Sequence, residues 1–225
     1  MRKILAIAAH PDDLEFSCTG TFIKRKKQGD ELYYLIVTNG ESGFKENPMP
    51  PPEKRIQIRK KEQINVCNKL GVKETIFLNY RDGFLKYTEQ LRAQIVELIK
   101  RIKPDDVFSF DPANREFNDL NLFHRDHRVV ALAVFDACFA AKNHLMYEGE
   151  QHLVDKIYFF GSDKPDNFED ITDLIDQKLQ LLAMHKSQFP DFSKIENFIK
   201  NEVSAKSKDY KYSEAFRVIK VRQIS

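Results

Sequence analysis

Apolar positions along the chain come in two textures. Short apolar runs at Lys3 to Ala9, Glu31 to Thr38, Glu74 to Leu78, Asp106 to Phe110 and Lys156 to Phe160 predict strands. The first is apolar on both faces, as in a sheet covered by helices. Between them lie stretches of helical pattern: Leu14 to Lys27, Glu53 to Leu70, Tyr87 to Ile102 and His124 to Lys142. In the third, Leu91, Ile95, Leu98, Ile99 and Ile102 share a face; the fourth is apolar nearly all round, which predicts a central place. Gly29 and Gly71 fit positions just past helix ends, and Pro104 ends the third helix. Asp173 to Lys186 and Ser193 to Lys206 read as two more helices, and Ala215 to Arg222 as a closing strand alternating apolar and basic residues. Strands alternating with helices predict an α/β fold, Rossmann-like, with a mostly parallel sheet flanked by helices on both faces. No internal repeat or shift of composition divides residues 1–225, so one domain is expected.

Two long polar loops interrupt this order, Asn39 to Pro52 and Asp111 to Phe123, and connections of that length are often lids or binding loops. Tyr80 to Phe84 is a turn carrying Asp82 and Gly83. The charge balance, 36 basic against 34 acidic residues, gives no push toward nucleic acid or a membrane surface. No apolar run approaches the roughly 18 residues of a membrane span. Three cysteines, Cys18, Cys67 and Cys138, lack paired spacing and argue for a reducing compartment. The N-terminus has no signal-peptide pattern, so a cytoplasmic protein is expected.

The chemistry concentrates at two strand ends. His10-Pro11-Asp12-Asp13-Leu14-Glu15 follows the first strand, placing one imidazole and three carboxylates beside a buried segment. Such a cluster is unfavourable unless a positive group joins it, and a metal ion satisfies it. His124-Arg125-Asp126-His127 follows the fourth strand, with two histidines three apart at a helix start. In a parallel sheet both strands open to the same edge, where ligands bind. Together the clusters offer His, Asp and His, the three protein ligands of a catalytic zinc site. Taken singly, each has a plainer reading: Asp12 or Asp13 as a helix cap, and the histidines as hydrogen-bonded polar groups.

These residues carry a resemblance. Ala9-His10-Pro11-Asp12-Asp13 with Glu15, Thr38-Asn39-Gly40-Glu41-Ser42-Gly43, Arg59 and Glu62, Asp82-Gly83, His124-x-Asp126-His127, His185-Lys186-Ser187-Gln188 and Ala215-Phe216-Arg217 occur in the order found in the LmbE-like/PIG-L family of zinc-dependent N-acetylglucosaminyl deacetylases. The chain resembles that family over nearly its full length. The resemblance implies Zn2+ held by His10, Asp13 and His127, with Asp12 as general base and then acid. It implies His124 as the electrophilic partner at the tetrahedral oxyanion, Asp126 orienting His124, and Arg59 and Asp82 binding sugar hydroxyls or a substituent. His185 is read as a substrate contact or a helix-end residue. Arg125 stands where the family usually has proline, and Ser17-Cys18-Thr19-Gly20 replaces a glycine-rich run.

Cys18 reads as a small buried residue rather than a ligand. Glu15 is open between a place behind the metal and a surface pair, His144 and His152 read as surface, and Phe117 and Phe123 flank the expected mouth. The expected reaction is hydrolysis of the acetamide of an N-acetylglucosamine-type conjugate, a small-molecule substrate. The alternatives are a zinc hydrolase of another amide or acyl substrate, and a silent sugar- or nucleotide-binding module. Against the last, the first strand is not followed by a G-x-G-x-x-G turn. The resemblance is compatible with a homo-oligomer.

Overall fold

A computed structural model describes residues 1–45, 48–114, 124–204 and 206–221. The strands are β1 Lys3–Ala8, β2 Glu31–Thr38, β3 Glu74–Tyr80, β4 Asp106–Phe110, β5 Lys156–Phe160, β6 Asn167–Asp170 and β7 Ser213–Lys220. The helices are α1 Asp13–Ser17, α2 Thr19–Lys27, α3 Pro52–Leu70, α4 Glu89–Ile102, α5 Arg125–Ala141, α6 Ile175–Leu182 and α7 Ser193–Ser204. One sheet holds the seven strands in the order β3-β2-β1-β4-β5-β7-β6. The first five are mutually parallel, and β7 runs antiparallel to both β5 and β6.

The local reasons follow the pattern of the chain. Ile4 to Ala9 have no exposed surface, as a central strand covered on both faces requires. In α4, Thr88 caps the first turn by accepting from the Leu91 N–H at 3.2 Å. Leu91, Ile95 and Ile99 on its inner face are fully buried, each stabilising the fold by about 1.5–3 kcal/mol. Pro52 opens α3, and Gly71, at φ 76°, closes it in the left-handed conformation that a glycine adopts without strain.

Three elements depart from expectation. The helix expected over Leu14 to Lys27 is broken at Cys18, whose φ is −148°. At the break Lys178 Nζ donates to the carbonyls of Glu15 and Phe16, at 2.8 and 2.7 Å. Glu214 accepts from the Gly20 and Thr21 N–H groups at 2.9 and 2.7 Å. One buried ion pair thus satisfies the end of α1 and the start of α2. The helix expected over Asp173 to Lys186 ends at Leu182, and 183–189 turn sharply, burying His185. β6 is a four-residue edge strand of Asn-Phe-Glu-Asp, three of them poor strand formers, and carries no pattern that announces it.

The chain passes from β1 outward to β2 and β3, then returns to β4 on the other side of β1. The carboxyl ends of β1 and β4 therefore flank the crevice where the strand order reverses.

Candidate metal centre

The turn after β1 is held in an unusual shape. Asp12 has φ 94° and occupies the cap position of α1, yet its side chain makes no capping bond. Asp13 does not cap either; its Oδ2 accepts the His10 N–H at 2.7 Å. Gly40, on the turn after β2, has φ 65°, and a Cβ there would stand 2.7 Å from Pro11 Cδ. Only glycine lets these two turns approach so closely.

At the start of α5, His124 Nδ1 accepts the N–H of Asp126 at 3.2 Å and so caps the helix. With Nδ1 accepting, the ring is neutral and its proton sits on Nε2. His127, one turn on, stacks flat on Phe110 at the end of β4, with ring centroids 4.1 Å apart.

The two strand ends meet. His10 Nδ1 lies 3.2 Å from His127 Nε2, Asp13 Oδ2 lies 3.4 Å from His10 Nδ1, and Asp13 Oδ1 lies 3.3 Å from His127 Nε2. Tetrahedral ligands bonded at about 2.0–2.1 Å stand about 3.3–3.4 Å apart. The donor set has the size and chemistry of a metal site, and the residues fit the ion that the resemblance implies. Ligand atoms of His124 also lie within 4.8 Å of those of His10 and His127.

His10 Nε2 faces the other way, 3.1 Å from Asp82 Oδ1 and 3.3 Å from Asp126 Oδ2. Asp126 is fully buried and accepts from Gly83 N at 2.7 Å and Leu85 N at 3.2 Å. Its carboxylate therefore turns to His10; what it gives His124 is its backbone N–H, not the side-chain bond expected of a partner that orients that ring. Asp82 accepts the Ser42 N–H at 3.0 Å. Carboxylates on the far nitrogen of a metal-ligating histidine orient the ring and raise its basicity.

A cavity of about 280 Å3 opens on this cluster, lined by His10, Asp12, Asp13, Arg59, Asp82, His124 and His127, with Ser42, Gly43 and Gln188 at its side. Arg59 is 2% exposed and donates to Asp12 Oδ2 at 3.2 Å and to the Pro11 carbonyl at 2.6 Å. Its first partners are thus groups of the β1 turn. His185 has no exposed surface and does not line the cavity; its Nε2 meets Glu15 Oε2 at 3.1 Å, one layer behind Asp12. Glu15, also fully buried, is not a surface pair. Cys18 is buried, as expected. Of the two outlying histidines, His144 is exposed, whereas His152 is half-buried and bonded to the Pro104 carbonyl at 2.7 Å. Phe117 and Phe123 lie outside the described residues.

The electrostatics match the crowding. Burial opposes charging of His10, but Asp13, Asp126 and Asp82 outweigh it and hold its pKa well above the ordinary value. Burial likewise opposes ionisation of Asp13, and His127 and His10 outweigh it, holding the carboxyl far below the usual range. Asp12 goes the other way: burial, with Asp13 beside it, raises its pKa against the pull of Arg59 and His185. Burial and the neighbouring His10 and His127 lower that of His124.

Three contributors carried no assigned role in the sequence. Gln63 accepts the Asp12 N–H at 3.1 Å, Gln188 meets Arg59 at 3.4 Å, and Glu62 accepts from Ser187 N at 2.8 Å. A signal for Gln63 exists in the pattern: Arg59, Gln63, Val66, Cys67 and Leu70 are the buried positions of α3, and Arg59 and Gln63 among them are polar.

The model of the family PIG-L, described as GlcNAc-PI de-N-acetylase, matches residues 5–138. The diacetylchitobiose deacetylase of Thermococcus kodakarensis is 29% identical over 85% of this chain and 72% of its own. A protein of Bacillus anthracis described as a probable N-acetyl-alpha-D-glucosaminyl L-malate deacetylase 2 is 27% identical over 84% of this chain and 82% of its own. The structure of N,N'-diacetylchitobiose deacetylase from Pyrococcus horikoshii, solved with an inhibitor, superposes with a TM-score of 0.90 at 28% identity, covering 97% of this chain and 84% of that one.

Proposed function

This chain belongs to the PIG-L family, that of the GlcNAc-PI de-N-acetylase, and from that premise we propose that it is a zinc-dependent N-deacetylase, one domain from end to end, acting on an N-acetylglucosamine-type conjugate. The observation that carries the reading is the triangle of His10 Nδ1, His127 Nε2 and the Asp13 carboxylate beside the buried Asp12, at one cavity. Hydrolysis of an acetamide needs a polarised carbonyl, an activated water and a proton for the departing amine, and this cavity has a group for each.

His10, Asp13 and His127 would hold the ion. A divalent zinc there supplies a Lewis acid and lowers the pKa of a bound water toward ~7. Asp12 takes the proton from the attacking water, and its raised pKa suits a base that must then act as an acid. Arg59 holds Oδ2 of Asp12 and limits its swing. His124 presents its Nε2 proton to the amide oxygen as negative charge develops there. Asp82 and Asp126 fix the ring of His10, and Asp82, Ser42 and Gln188 offer the sugar hydroxyls polar partners at the cavity wall. Asp12 then returns its proton to the amine, leaving acetate and a free amino sugar.

His10, His124 and His127 form a second group of ligand atoms. We favour Asp13 over His124 as the third ligand. A carboxylate balances the charge of the ion, and the Nδ1 of His124 is engaged by the helix start.

The test is release of primary amine from a panel of N-acetylglucosamine conjugates, with chelator and with zinc added back. Chelator-sensitive release supports the reading, and the best conjugate identifies the aglycone. Zinc-loaded protein that releases amine from non-sugar acetamides and from no sugar would favour the other amide-hydrolase reading.

A further inference from the structure

We infer that Gln63 is a positioning residue for Asp12: it grips the strained peptide behind that residue, and the buried pair Glu15–His185 sets the direction in which the Gln63 amide faces. The inference rests on the reading of Asp12 as the proton carrier. Among the described residues, four other than glycine have positive φ: Asp12, Asn79, Lys103 and Tyr147. Lys103 lies at a helix end and Asn79 is exposed, while Asp12 is buried at the cavity. A left-handed aspartate persists only where its surroundings over-determine it.

Here the surroundings are two side chains one turn apart on α3. Arg59 donates to the carbonyl of the Pro11–Asp12 peptide at 2.6 Å, and Gln63 Oε1 accepts the N–H of that same peptide at 3.1 Å. Both polar groups of one peptide unit are therefore held, from one helix, by residues at most 2% exposed. Rotation of this peptide would swing the Asp12 carboxylate away from the triangle of His10, Asp13 and His127.

A glutamine amide can face either way, since its oxygen and nitrogen ends have nearly the same shape. Glu15 decides. Its Oε1 accepts from Gln63 Nε2 at 3.3 Å, so the amide oxygen is left for Asp12. Its Oε2 is held by His185 Nε2 at 3.1 Å. Glu15, Gln63 and His185 have no exposed surface. The late turn that carries His185 thus reaches Asp12 through two intermediates without touching the cavity.

The experiment uses the zinc-loaded full chain, with amine release from an N-acetylglucosamine disaccharide as the readout and zinc content and melting temperature measured beside it. Gln63→Met keeps the side-chain length and removes the acceptor; kcat is expected to fall about 10- to 100-fold, the scale of a displaced catalytic group. KM within about two-fold and unchanged zinc content are expected with it, because Gln63 touches neither the cavity nor a ligand. Gln63→Glu alone sets two carboxylates together and should lose as much. The double variant Glu15→Gln/Gln63→Glu exchanges amide and carboxylate, keeps an acceptor for the Asp12 N–H, and should recover kcat to within about five-fold of the parent. Parental kcat in Gln63→Met overturns the inference, and so does a double variant no better than Gln63→Glu. A Gln63→Met chain that fails to fold leaves the exchange pair to decide. Asp12→Asn separates the two ideas: near-parental turnover there sinks the base assignment, whereas a silent Asp12→Asn beside a fully active Gln63→Met sinks the role of Gln63 alone.

Discussion

Replacing Lys178 with methionine should unsettle the segment that carries Asp13 from a point outside the cavity. Lys178 Nζ makes three bonds, to Glu214 Oε1 at 2.7 Å and to the carbonyls of Glu15 and Phe16 at 2.8 and 2.7 Å. Lysine and glutamate are both essentially without exposed surface. Methionine fills the space of the stem but leaves the Glu214 carboxylate buried without its cation and two carbonyls without a donor. Breaking a buried pair by removing one partner costs about 3–5 kcal/mol. For a chain of this size each kcal/mol moves the midpoint by about 2–4 °C, so a fall of about 6–20 °C is expected. The five residues of α1 are too few to hold a helix unaided, so affinity for a divalent metal ion should fall with stability. The assay is a pair of thermal melts, chelated and zinc-loaded, at one protein concentration. Lys178→Met/Glu214→Gln should not return to the parental midpoint, because Glu214 also caps the Gly20 and Thr21 N–H groups. A Lys178→Met midpoint within about 2 °C of the parent would refute the reasoning, since an uncompensated buried carboxylate cannot be that inexpensive.

Other consequences can be measured with the same preparations. Arg217 grips Asp111 through two bonds of 2.7 and 2.5 Å; burial opposes ionisation of Asp111, but this pair outweighs it and lowers the carboxyl below its ordinary pKa. A depressed carboxyl contributes stability in full above its unfolded pKa of about 3.9 and loses it as pH falls through the lower folded value; the parent should therefore lose more of its melting temperature than Asp111→Asn between pH 6 and pH 3, and equal slopes would count against the pair. Gly40→Ala puts a Cβ 2.7 Å from Pro11 Cδ at φ 65° and should cost about 1–3 kcal/mol in a denaturant titration, with lower turnover because the two turns separate. Burial pushes the Cys67 and Cys138 thiols up to about 12, so neither should react with iodoacetamide at pH 8 until the protein unfolds; prompt labelling of native protein would contradict the packing.

The legible parts of this fold are those whose causes are local. β2, β4 and β5 coincide with their apolar runs, and α4 ends at Ile102, two residues before the Pro104 that marks its end. The break at Cys18 has causes 160 and more residues away, in Lys178 and Glu214. No periodicity between Leu14 and Lys27 records that two backbone ends will be met there by an ion pair from α6 and β7. The early end of the helix before His185 has the same character: leucines continue the pattern, but the pull of Glu15 on His185 is a contact across the fold. Edge strand β6 exists because β7 offers it a partner, not because Asn167 to Asp170 favour extension.

Within the site, the sequence identifies the residues more surely than their partners. Order along the chain shows that His10, Asp12, Asp13, His124, Asp126 and His127 belong together, because β1 and β4 must open to one crevice. It does not show which nitrogen faces which oxygen. Asp126 turns to His10 because the Gly83 and Leu85 N–H groups fix its carboxylate from the next turn, a contact the spacing His-x-Asp-His cannot encode. Arg59 reads in sequence as one more cation on a basic helix, yet it is buried against Asp12 and Pro11. The excess of acid decides what such a cavity can accept. Four aspartates line or back it, one of them paired with Arg59, and the other three hold the pKa of His10 well above its ordinary value against its burial. A dinucleotide or phosphate ligand would add negative charge to that deficit. A divalent cation removes it, and His10 Nδ1 and His127 Nε2, 3.2 Å apart, each stand within 3.4 Å of one oxygen of the Asp13 carboxylate, the spacing of a coordination sphere.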